Sequence, residues 1–160
     1  MVKALAITAL LTALPWLAFA DFSGVVVGIT DGDTISVMHD GKAEKIRLNG
    51  IDCPENGQAF SELAKQLMSE LAFDKIVLVK EFGKDRHGRT IGDVVLNEDV
   101  ILNHQLVGAG LCWWYRKYAP TNAMLEHLET EAREAKRGLW ADAEPVPPWK
   151  WRHRQEPVRR

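Results

Sequence analysis

Two stretches of strand-period hydrophobicity, each followed by sequence of helical period, predict an α+β fold: a five-stranded barrel of the OB type decorated by three α-helices. In the first stretch, Phe22 to Asn49, Val25, Val26, Val27 and Ile29 precede a turn at Asp31-Gly32, and Ile35, Val37, Ile46 and Leu48 then alternate with polar neighbours. The second stretch, Lys75 to Leu96, is broken by the polar turn Gly83 to Gly88. After Pro54, and again after Val100, the apolar spacing changes from two residues to three and four, which is the helical signature.

Each element has its own local cause. Asp40-Gly41 is a hairpin signal because both residue types tolerate positive φ, so Phe22 to Asn49 reads as three antiparallel strands. Phe60, Leu63, Ala64, Leu67 and Leu71 then mark an amphipathic helix of about 14 residues. Lys75 to Phe82 and Thr90 to Leu96 supply the fourth and fifth strands. Ile101, Leu102, Gln105, Leu106 and Ala109 give a short helix that Gly110 stops. Leu125, Leu128, Ala132, Ala135 and Leu139 mark the third helix, with Gly138 as its terminator. A single domain is therefore expected over residues 21–144, followed by a Pro/Trp/Arg-rich tail, 145–160, that reads as extended with Trp149 and Trp151 against the domain.

Residues 1–20 stand apart. Lys3, the apolar run Ala4 to Leu17 and the small-residue site Ala18-Phe19-Ala20 form the pattern of a secretory signal peptide. A membrane anchor is the competing reading, but Pro15 interrupts the run and a spanning helix needs roughly 20 apolar positions. An exported protein follows, periplasmic or secreted, with no stable membrane insertion after cleavage and monomer as the default state. The full chain carries a net charge of −2, and losing Lys3 makes it one unit more negative, which argues against charge-driven coating of nucleic acid. Phosphate recognition must then come from local arginines and a bound cation. Cys53 and Cys112 could form a disulfide in an oxidising compartment, or remain as two buried thiols.

Chemistry concentrates in three strings: Asp31-Gly32-Asp33-Thr34, then Arg47 with Asp52-Cys53-Pro54-Glu55, then Asp85-Arg86-His87-Gly88-Arg89. Asp33 and Asp52 are hard oxygen donors that suit Ca²⁺ better than the more exacting Mg²⁺. Zinc is a poor fit because His39, His87, His104, His127 and His153 are scattered and the two cysteines are far apart. Arg47 and Arg89 are candidates to neutralise a phosphodiester transition state, and Glu55 to take a proton from water or orient it. Alone, Asp-Gly-Asp-Thr is an ordinary turn and Glu55 an ordinary helix-start acid; the combination points to chemistry.

These strings resemble the staphylococcal nuclease family in order and spacing: Asp31-Gly-Asp-Thr34, Arg47-Leu-x-Gly-Ile-Asp52-x-Pro-Glu55, Asp85-x-x-Gly-Arg89, Leu102-Asn103 with Leu106-Val107, and Gly110-Leu111 before an aromatic pair. The resemblance covers the chain to Trp151. It implies Ca²⁺-dependent cleavage of DNA and RNA with little sequence preference, leaving 3′-phosphates. By the same resemblance Asp33, Asp52 and the Cys53 carbonyl hold the metal, Asp31 and Glu55 reach it through water, and Arg47, Glu55 and Arg89 form the catalytic set. His87 stands where well-known members carry a tyrosine, and Tyr115 and Tyr118, in the run Trp113 to Tyr118, are candidates for stacking on substrate. That aromatic run could equally be a cover over the barrel. The competing function is a non-catalytic OB-fold module that only binds nucleic acid.

Overall fold

A computed structural model describes residues 20–155 of the chain. The signal-peptide expectation therefore lies outside the described residues, except at Ala20, as does the basic end at 156–160. Among the described residues no helix is long and apolar enough to cross a membrane.

The strands, in chain order, are β1 (Phe22–Ile29), β2 (Thr34–His39), β3 (Lys42–Leu48), β4 (Ile51–Asp52), β5 (Ile76–Lys84), β6 (Thr90–Val95) and β7 (Trp113–Trp114). Five of them close into a barrel in the order β1-β2-β3-β6-β5, and β4 pairs separately with β7. All barrel neighbours are antiparallel except β3 and β6, which run parallel with Arg47 opposite Ile91. Alternation explains the closure: Val26, Ile35, Val37, Ile46, Leu48, Val77, Val79 and Val94 all point inward and are buried. The hairpin at Asp40 and Gly41 forms with both residues at positive φ, 47° and 75°, as its sequence requires.

The helices are α1 (Ser61–Ala72), α2 (Leu102–Gly108), α3 (Ala123–Glu134) and α4 (Pro148–Gln155). Their inner faces differ in detail from the periodicity. On α1 the buried line is Ala64, Met68 and Ala72, while Leu63 is half exposed. α2 ends as its glycine predicts: Gly110 sits at φ 71°, and the Gly110 and Leu111 N–H groups donate to the carbonyls of Val107 and Leu106, closing a Schellman motif. A Cβ there would lie 2.3 Å from the Arg137 carbonyl, so glycine is required twice over. α3 is capped by the Asn122 side chain, which accepts from the Leu125 N–H at 3.0 Å. It stops at Glu134, earlier than expected, because Lys136 turns to φ 52°; Leu139 belongs to a short 3-10 turn, Gly138–Ala141.

Two sequence expectations are corrected. There are four α-helices among the described residues, and the tail is not extended, since 148–155 form α4. The physical reason is that a proline is compatible with the first helical turn, where its missing N–H costs nothing. Pro147 supplies carbonyl acceptors for Lys150 and Trp151, and Trp149 stacks on Tyr115 with ring centroids 5.1 Å apart and an interplanar angle of 1°. Its edge also meets Trp113 at 5.6 Å. The helix is thus held by aromatic burial.

Cys53 and Cys112 are joined in a disulfide between residues 59 apart in sequence, directly after β4 and directly before β7. Constraining a loop of that length restricts the unfolded chain by about 4 kcal/mol on chain-entropy grounds. Cys112→Ser should therefore lower unfolding free energy by a few kcal/mol, on the order of that value. Urea titrations of the oxidised protein and the variant measure it; equal midpoints would show that the bridge contributes nothing.

Candidate active site

Barrel closure delivers Arg47 to a pair of acids. Thr34 faces Arg47 across the β2–β3 ladder, and the Leu48 N–H donates to the Asp33 carbonyl at 2.8 Å, so Asp33 is fixed beside the end of β3. On the other side, Asp52 lies opposite Trp113 in the β4–β7 ladder and is followed by the disulfide. The buried Glu129 carboxylate accepts from the Trp114 N–H at 3.2 Å and is paired by Arg116 and Arg133, which secures β7. Gly32 makes the approach possible: a Cβ on it would lie 2.8 Å from the Cys53 Cβ and 2.9 Å from the Ala64 Cβ.

The Arg47 guanidinium bridges both carboxylates. Its Nη2 lies 3.0 Å from Asp33 Oδ2 and 2.9 Å from Asp52 Oδ1, while Nη1 donates to the carbonyls of Leu48 and Ile51. Asp33 is buried and its Oδ2 also accepts the Cys53 N–H at 2.9 Å. Burial pushes its carboxyl up to about 7, with Arg47 opposing and Asp31 and Asp52 adding to the shift. Asp31 receives the Asp33 N–H at 3.1 Å and faces Glu55 across a small cavity of about 30 Å³, lined also by Gly32, Asp33, Cys53, Pro54 and Asn56. Glu55 is steadied through its backbone, whose N–H donates to Gln58 Oε1 at 3.1 Å; Gln58 in turn donates to the Val146 carbonyl just before α4.

Arg89 is brought to the same groove by the turn between β5 and β6. Its Nε donates to Asp85 Oδ2 at 2.7 Å, and Asp85 Oδ1 accepts the backbone N–H groups of His87 and Arg89, which folds 85–89 into a rigid turn. Burial works to raise the Asp85 carboxyl, but the Arg89 side-chain bond and the two backbone bonds overcome it and hold it below its ordinary value. The groove, about 900 Å³, is lined by Asp33, Arg47, Asp52, Glu55 and Arg89 and by the candidate substrate contacts His87, Tyr115 and Tyr118. His87 is exposed and accepts from Arg86 Nε at 3.0 Å; Tyr115 and Tyr118 meet edge to face.

Asp31, Asp33, Arg47, Asp52, Glu55, His87, Arg89, Tyr115 and Tyr118 thus border one groove, while Cys53 lines the small cavity beside it and Arg89 is held by Asp85 rather than by the acidic cluster. The periodicity gave no sign of Arg152. From α4 it forks Asp52, with Nη2 2.8 Å from Oδ2 and Nη1 3.2 Å from Oδ1, and Nη1 also bonds Glu55. Burial alone would lower the Arg152 guanidinium, but Asp52 and Glu55 hold it above its ordinary range. A charged residue close to Trp149, the tryptophan that anchors this terminal segment, was the available signal.

A hydrolytic centre for phosphate esters on an OB-type barrel is the class that this arrangement defines. A family model for staphylococcal nuclease homologues matches residues 45–142. An uncharacterized endonuclease of Escherichia coli O157:H7 is 46% identical over 136 residues, covering 85% of this chain and 88% of that protein. A micrococcal nuclease of Shigella flexneri is 42% identical over 144 residues, covering 84% of this chain and 83% of its own length. The Escherichia coli protein named ParB is 40% identical over 158 residues, covering 93% and 88%. The chain belongs to the staphylococcal nuclease homologue family.

The turn that presents Arg89 depends on a staple at the barrel seam. Glu44 on β3 accepts from Lys84 at 2.8 Å and from the Thr90 hydroxyl, and these bonds flank residues 85–89. The Lys84 bond, then the Thr90 bond, holds the Glu44 carboxyl down to about 2 from 4.5, with burial opposing. Because the folded value is depressed, this stabilisation is present above pH 4.5 and is lost as pH falls toward 2. Glu44→Gln should cost about 2 kcal/mol at neutral pH, and the gap from the unaltered protein should close on acidification. Denaturant titrations across pH 2 to 7 test it; a gap constant with pH would refute the linkage.

Proposed function

We propose that the chain is an exported, Ca²⁺-dependent nuclease that hydrolyses phosphodiester bonds of DNA and RNA with little sequence preference and leaves 3′-phosphates. The observation that carries this reading is the convergence of Asp33, Asp52 and Glu55 with Arg47 and Arg89 on one groove. Export rests on the signal-like residues 1–20 and accords with the disulfide.

The residues present suit a hard cation. Among the described residues no three His, Cys, Asp or Glu side chains converge as a closed ligand set, but Asp33 and Asp52 share a guanidinium beside a cavity of about 30 Å³, room for one water-sized occupant. Oxygen donors, a backbone carbonyl at Cys53 and space for water form the loose shell that Ca²⁺ accepts, with Asp31 and Glu55 as outer partners. When bound, such an ion supplies positive charge against the phosphoryl oxygens. Thiolate coordination of zinc is unavailable because both cysteines are committed to the disulfide.

The chain's own groups account for the rest. Arg47 and Arg89, both lining the groove, neutralise charge building on the equatorial oxygens. Glu55 accepts a proton from the attacking water, whose oxygen bonds to phosphorus while the bond to the 5′ oxygen breaks. The departing 5′ oxygen takes a proton from solvent, and phosphate remains on the 3′ side. Low sequence preference rests on Tyr115 and Tyr118, whose aromatic faces any base can stack against.

Hydrolysis of single- and double-stranded DNA and of RNA should require millimolar Ca²⁺ and stop in EGTA. Glu55→Gln and Arg89→Ala should each cut kcat by about 10² or more while substrate binding persists. Gel and fluorescence-release assays measure these; full activity in chelator would remove the metal, and a protein that binds but never cuts would be the non-catalytic module.

A further inference from the structure

Arg152 occupies a position that an open metal-dependent site would not leave filled. Asp52 has two carboxylate oxygens, and both are engaged by the Arg152 fork, while Oδ1 also receives Arg47. Glu55, the acid placed to handle water, is engaged by the same guanidinium. Arg47 already takes Asp52 Oδ1, so Oδ2 is the oxygen left for a divalent ion, and Arg152 Nη2 lies 2.8 Å from it; the ion and Arg152 would compete for the same oxygen with like charges a few ångströms apart. One must leave when the other arrives.

The arginine can move without taking its helix away. α4 is held by Trp149 stacked on Tyr115 and edge-on to Trp113, and by the Gln58 bond to the Val146 carbonyl at its entrance. None of these contacts involves Arg152. Its side chain is 41% exposed and lines the same groove as Arg47 and Arg89. Released from Asp52 and Glu55, it stays in that groove, facing the volume where a phosphate must lie.

Resting on the cation-dependent reading above, we infer that Arg152 is a third substrate-contacting guanidinium of the site, which occupies the acidic cradle in the metal-free protein and transfers to the phosphodiester backbone when the divalent ion takes its place. The metal-free state is thereby held closed on both counts: the cation position is filled and Glu55 is engaged.

Isothermal titration calorimetry on the whole chain tests this with two probes. The first is Ca²⁺ alone. The second is a deoxynucleoside 3′,5′-bisphosphate at saturating Ca²⁺, which offers two phosphates and no internucleotide link to cut. Arg152→Ala should bind Ca²⁺ roughly tenfold tighter than the unaltered protein and the bisphosphate roughly tenfold more weakly. Arg152→Gln, which keeps most of the side-chain volume, should behave alike and serves if the alanine variant folds poorly. Unchanged Ca²⁺ affinity, or unchanged bisphosphate affinity, overturns the inference while leaving the nuclease reading intact. If neither the variants nor the unaltered protein binds Ca²⁺, the metal-dependent reading fails and the inference fails with it.

Discussion

One guanidinium sets the geometry of this protein's working face. Arg47 lies between Asp33 and Asp52, and the two acids come from segments that share no strand. Two largely buried carboxylates at such separation repel each other, and their burial is tolerable only because a cation bridges them. Nη1 of Arg47 donates to the carbonyls of Leu48 and Ile51, which fixes the plane of the guanidinium between the two acids. Removing it would leave two buried acids without their common partner, which is a fold problem before it is a catalytic one.

Around that bridge the fold supplies two rigid supports of different kind. The barrel fixes Asp33 and Arg47 through the β2–β3 ladder, and the small β4–β7 ladder with its adjoining disulfide fixes Asp52. Asn103 ties these together: buried on α2, it accepts from the Val94 N–H and donates to the Asn49 carbonyl at 2.9 Å, where the chain leaves β3 for β4. Helix, barrel and loop therefore meet at a single amide side chain that both accepts and donates, its NH₂ also reaching Asp93 at 3.1 Å.

Much of this could be read from residue order. Asp33, Arg47, Asp52, Glu55 and Arg89 occur in short strings whose chemistry makes sense only if they meet, and strand alternation is enough to predict a barrel that brings them together. Other features depend on partners distant in the chain. Arg152 lies 100 residues from Asp52, and nothing local to Trp149-Lys150-Trp151-Arg152 states what it will touch. The same holds for the α4 segment: three prolines near 145–148 favour an extended reading, and only the surface offered by Tyr115 and Trp113 turns the segment into a docked helix. Leu63 shows the converse error, since periodicity marks it as inward while the helix turns Ala64, Met68 and Ala72 to the core, with Leu67 and Leu71 packed at its margin.

The parallel contact between β3 and β6 has a cost in time. Arg47 cannot find Ile91 until α1 and β5 have been threaded between them, so the seam joins parts of the chain that are remote from one another as it leaves the ribosome. Contacts of that kind demand loop closure before they return any stabilisation, and chains rich in them reach the native state slowly. The segment bearing Arg89 ends where that seam begins, at Thr90, so the Arg89 side of the site borders the strand pair that only barrel closure can form.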